Sequence, residues 1–117
     1  MAALLAALVA STSLQITVWP KGDGAKHVWT LRCDPVGGTL PRRAAACDKL
    51  AAMARPFRPV PPDAVCTQVF GGPQRALVAG TLRGRRVRAR FARNDGCEIA
   101  RWDRVRFLFP VSTSGRG

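Results

Sequence analysis

Cys66, Thr67, Gln68, Val69 and Phe70 form a run whose residue types could do chemistry without being catalytic, ahead of a Gly71-Gly72-Pro73 stop. A cysteine at the start of a β-capable stretch can be tied to a distant partner. The residues behind it then become a stiff exposed loop with the shape of a peptide lying in a protease cleft. The competing reading is an ordinary half-buried strand whose Cys66 staples the core. Catalytic alternatives fare poorly. The lone histidine, His27, has no serine, cysteine or metal partner at a recognisable spacing and reads as a strand-edge residue. No nucleophile and base pair or carboxylate dyad emerges, so an enzyme is not expected. The four cysteines, Cys33, Cys47, Cys66 and Cys97, contain no CxxC pair, which argues against a zinc ribbon or a thioredoxin-like site. No metal or other cofactor is expected.

The elements that must position this run follow from periodicity. With 117 residues and 47% hydrophobic content, the chain suits one domain with a modest core that staples would help. Leu14, Ile16 and Val18 alternate with Gln15 and Thr17, and His27–Cys33 gives a second strand across a Lys21–Lys26 loop. Asp34–Gly38 reads as loop. Pro41 and an Ala-rich interior predict a helix over 42–53, with Ala46, Leu50 and Met53 on one face. Cys47 lies beside that stripe. A bond from it to Cys33 would clip helix to strand and close a loop worth about 3 kcal/mol in the chain-entropy view. Arg55–Pro62 holds four prolines and cannot continue the helix.

Two further strands flank a tight Arg83-Gly84 turn. In the second, Val87, Ala89 and Phe91 alternate with Arg86, Arg88 and Arg90, which places an apolar face against an arginine row that keeps the sheet soluble. A short helix over 97–102 and a final strand carrying Val105, Phe107 and Phe109 complete the pattern. Residues 14–110 are thus the domain, preceded by an apolar segment over 1–13 and followed by a polar tail over 111–117. Ala2–Ala10 resembles the apolar half of a signal peptide without a basic residue before it, so the native start lies upstream or the segment is a short arm. That run is too short to span a bilayer, and no membrane association is expected.

A net charge of +12, from 16 arginines and 3 lysines against seven acids, would attract phosphates. Specific nucleic-acid binding also needs a recognition helix or an aromatic platform. Neither is visible, so nucleic acid is not the expected partner. The basic face could instead steer an acidic protein.

Leu31–Thr39, Ala44–Cys47, Val65–Phe70, Gly80–Val87 and Gly96–Ile99 together resemble the subtilisin-inhibitor-like family of secreted bacterial proteins, over roughly Leu14 to Phe109. The resemblance implies an α+β domain with a five-stranded antiparallel sheet, two helices and disulfides Cys33–Cys47 and Cys66–Cys97. It implies a secreted, homodimeric inhibitor of subtilisin-type serine proteases with its reactive-site loop over Cys66–Phe70. The scissile bond would be Gln68-Val69, so that Gln68 is P1 and Val69 is P1′; Cys66, Thr67 and Phe70 become P3, P2 and P2′. Asn94, near the fourth cysteine, is the expected loop support. Two departures stand out: Gln68 replaces the Met or basic residue often found at P1, and both Gly71-Gly72-Pro73 and Asn94-Asp95-Gly96 are one residue longer than in better-known members. The alternative is a secreted basic binding or structural module on the same fold, attracting nucleic acid or acidic surfaces.

Overall fold

The computed structural model describes residues 11–112. The apolar Ala2–Ala10 run and the end of the polar tail lie outside them. Five strands form one antiparallel sheet: β1 (Thr12–Trp19), β2 (His27–Cys33), β3 (Gly37–Gly38), β4 (Arg75–Leu82) and β5 (Arg85–Phe91), in the order β3-β2-β1-β4-β5. Helices α1 (Arg43–Ala51) and α2 (Gly96–Arg104) accompany it. The α+β class, strand number, helix number and both disulfides agree with the sequence reading.

The period-two pattern in β1 buries Leu14, Ile16 and Val18 and leaves Ser13 and Gln15 exposed. The same alternation holds in β5: Ala89 and Phe91 are buried, while Arg86, Arg88 and Arg90 are exposed. Behind the sheet, Trp102, Phe91 and Phe109 interlock, with ring centroids 4.6 Å apart for Trp102–Phe109 and 5.2 Å for Phe91–Phe109. This aromatic group is the floor on which the α2 end of the molecule is built.

Three expectations need correction. The fifth strand is not the segment around Val105–Phe109 but Gly37–Gly38, read above as loop, which pairs with Leu31 and Arg32. A Cβ at Gly38 would collide with the Thr30 carbonyl, so glycine permits the strand to close up against β2 at a φ of 107°. The expected last strand is instead a 3₁₀ turn over Arg106–Leu108. Leu108 within it and Val105 and Phe109 at its two ends are buried, a helical spacing that coincides with an apolar alternation in the sequence. Helix α1 covers Arg43–Ala51 rather than 42–53, and at its start Arg42 adopts a left-handed φ of 57° and forms the boundary.

The Arg83-Gly84 turn does more than reverse the chain. Both residues have positive φ, 48° and 83°, as a two-residue hairpin of this twist requires. From that position the Arg83 guanidinium donates to the carbonyls of Leu50 at 3.1 Å, Met53 at 2.9 Å and Ala54 at 3.3 Å. Leu50 lies in the last turn of α1, and Met53 and Ala54 lie just beyond it, so the hairpin ties down the end of the helix from some thirty residues away in sequence.

Candidate functional site

The segment from Val65 to Phe70 has no regular structure and stands away from the core. Val65 is 99% exposed, Val69 54% and Phe70 68%; Thr67 and Gln68 are also exposed. Three large apolar groups held in water within six residues make this segment a candidate contact site. The strand-in-the-core reading of Cys66 is thereby excluded. Cys66 itself is half-buried, because its sulfur joins Cys97 in the first turn of α2 across a Cα–Cα distance of 5.3 Å.

The platform under the loop is the beginning of α2. Asp95 is extended at φ −157°, and its Oδ1 accepts from the Glu98 amide at 2.9 Å, which fixes where the helix starts. The Asp95-Gly96-Cys97-Glu98 order has the spacing of a capping box. Gly96 then donates its N–H to the Thr67 carbonyl at 2.9 Å. A Cβ at Gly96 would strike Thr67 Oγ1, so the absence of a side chain is what allows helix and loop to touch. Gln68 turns its Nε2 back toward the Cys66 carbonyl at 3.4 Å, while its side chain stays exposed.

The far side of the loop rests on the segment after β5. Gly71 donates its N–H to the Arg93 carbonyl at 2.7 Å, and Arg93 Nε donates to the Gly71 carbonyl at 3.0 Å. Arg93 Nη1 also donates to Asp103 Oδ1 at 2.8 Å, and the guanidinium lies 5.7 Å from the centre of the Trp102 ring. Asn94, the expected loop support, is exposed, and among the described residues its side chain makes no hydrogen bond. The contact belongs to its neighbour. Arg93 could have been suspected from parity: it breaks the even-numbered row of Arg86, Arg88 and Arg90 and falls on the parity of the half-buried Val87 and the buried Ala89 and Phe91.

The approach to the loop is pinned by another buried arginine. Arg101 donates through Nε to the Arg58 carbonyl at 2.9 Å and through its two Nη groups to the carbonyls of Arg90 and Phe57. It lies over the Phe91 ring at 4.0 Å, with Glu98 Oε1 at 3.6 Å. Burial lowers the Arg101 pKa from its ordinary value, Glu98 opposes that shift, and Arg104 adds to it. Its role is to hold the proline-rich connection against β5 and α2. Cys66, Asp95 and Cys97 also bring potential ligand atoms close together, but two of the three are sulfurs already bonded to each other.

The site is thus an exposed apolar loop on a small disulfide-braced domain, bonded through sulfur to a capped helix and through its backbone to the segment after β5. The family follows from comparison: residues 10–93 match the model described as subtilisin inhibitor-like, and the chain belongs to that family, one of inhibitors rather than enzymes. No curated protein matches the chain. Among solved structures, the chain is similar to Streptomyces caespitosus sermetstatin, crystallised in complex with Bacillus licheniformis subtilisin. The two are 25% identical, the alignment covers 86% of this chain and 99% of that chain, and the TM-score is 0.55.

Proposed function

We propose that this protein inhibits subtilisin-type serine endopeptidases by offering Cys66–Phe70 as a rigid substrate, with Gln68-Val69 as the scissile bond. The observation that carries this reading is an exposed Gln68 between two restraints, the Cys66–Cys97 disulfide with the Gly96–Thr67 hydrogen bond on one side and the Gly71–Arg93 pair on the other. A loop already restrained on both sides loses little conformational entropy on binding, so an interface of about 1,600 Å² can be tight. Once the protease serine has attacked, the new amine remains close to the acyl-enzyme. Religation at high effective concentration outruns hydrolysis.

Gln68 at P1 is polar and uncharged. It leaves the buried aspartate of a trypsin-like pocket unpaired, whereas a broad subtilisin-like pocket accepts it. The protein acts outside the cell, where its two disulfides persist. It pairs as a homodimer, the state that the family resemblance implies. Gln68→Lys tests the assignment of P1: inhibition is expected to extend to trypsin-like enzymes, and an unchanged spectrum of inhibited proteases would place the contact elsewhere.

The exposed row of Arg86, Arg88 and Arg90 favours a second reading, a basic module binding acidic surfaces or nucleic acid. Salt-sensitive binding without any effect on proteases would select it.

A further inference from the structure

Arg93 is 8% exposed, an unusual position for an arginine, and its guanidinium is committed on three sides: to the Gly71 carbonyl, to Asp103 and to the face of Trp102. Its own carbonyl takes the Gly71 amide, so one residue holds both backbone groups of another. Gly71 is fitted to the grip. A Cβ there would come within 2.6 Å of Ile99 Cδ1 and 3.3 Å of the Arg93 carbonyl, so a larger residue would have to push the Ile99 side chain aside.

This grip lies on the side of the loop that the disulfide does not reach. Cleavage between Gln68 and Val69 would leave Cys66–Gln68 tethered by sulfur, while Val69 would begin a new chain end. Between that end and β4, which starts at Arg75, the Gly71–Arg93 pair is the first backbone tether among the described residues. We infer that Arg93 is the positioning residue for resealing the cut loop. It holds the new amine of Val69 within reach of the acyl group, and so decides whether the protein is a lasting inhibitor or is consumed. The inference rests on Gln68-Val69 being the reactive bond and adds which side chain makes its cleavage reversible. Asp103 and Trp102 act through Arg93: the carboxylate and the ring keep the guanidinium aimed at Gly71 rather than at water.

The chemistry balances within the inhibitor and the protease. Attack by the serine oxygen breaks the Gln68–Val69 amide and forms an acyl ester on Gln68, and the proton goes to the departing Val69 amine. Resealing reverses these events. Water attacking the ester in place of Val69 gives the Gln68 carboxylate and the clipped protein.

The test follows the ratio of clipped to intact protein at equilibrium with a catalytic amount of a subtilisin-type protease, approached from both intact and clipped material. Arg93→Gln is expected to raise the ratio about tenfold, in line with loss of a charge-assisted hydrogen bond. Arg93→Lys cannot reproduce the fork to Gly71 and Asp103 and is expected to restore only part of it. Leu50→Ala, a core change far from the loop, controls for general destabilisation and is expected to lower thermal stability without moving the ratio. The inference is overturned if Arg93→Gln leaves the ratio at the wild-type value, or moves it no more than Leu50→Ala does. Absence of any nick at Gln68-Val69 in the wild-type protein overturns the assignment of the reactive bond, and this inference with it. A nick there with an unmoved ratio overturns this inference alone.

Discussion

The two disulfides are alike chemically and opposite in setting. Cys33–Cys47 joins the end of β2 to α1 beside the core, and Cys47 is 9% exposed among Ala46 and Leu50. Cys66–Cys97 ties an exposed segment to the first turn of α2, and from Pro61 to Phe70 every residue but the half-buried Cys66 is exposed. Around the first bond, packing repeats what the sulfur does; around the second, little else restrains the chain on that side of Gln68. Under the proposed function, the first crosslink contributes stability where the fold is already dense, and the second contributes function where it is sparse.

Breaking each bond separates the two roles. Replacing Cys66 and Cys97 with serine should turn the inhibitor into a substrate, with the rate of cleavage at the loop rising about 100-fold or more as the effective concentration of the cut ends falls. Circular dichroism should show the sheet still folded at low temperature, because β1, β4 and β5 owe their packing to residues elsewhere. Loss of the sheet in this variant would mean that the bond is structural and the contrast false.

Replacing Cys33 and Cys47 with alanine should give the converse result. Stability to urea should fall by about 3 kcal/mol for a loop of this length, while inhibition measured well below the melting temperature stays within about twofold of wild type. A large loss of inhibition with the fold intact would show that α1 communicates with the loop.

Much of this architecture is legible in the sequence, because it depends on local period and turn chemistry. The alternation of Val87, Ala89 and Phe91 with three arginines, the Arg83-Gly84 reversal and the Leu14–Val18 strand are each dictated by residues close together in the chain. The loop is legible only in part: its cysteine and glycine boundaries suit an exposed loop or a half-buried strand, and the exposure of Thr67, Gln68, Val69 and Phe70 decides for the loop. What escapes is set by distant partners. Gly37–Gly38 has no apolar pattern and becomes a strand only because β2 offers an open edge. Val105–Phe109 satisfies two periods at once, and packing against Trp102 accompanies the helical one. Arg93, not Asn94, makes the contacts to Gly71, because a long guanidinium can reach Gly71 and Asp103 together, a geometry that spacing alone does not reveal.

The central claim is that one bond, Gln68-Val69, is presented for attack and resealed. Its most direct test is a titration of the wild-type protein against a subtilisin-type protease, with aliquots taken over time for activity and for intact mass. Stoichiometric inhibition that persists while a single nick accumulates slowly between Gln68 and Val69 is the predicted result. Rapid digestion at many positions without inhibition, or a persistent complex whose only nick lies outside Cys66–Phe70, would contradict it.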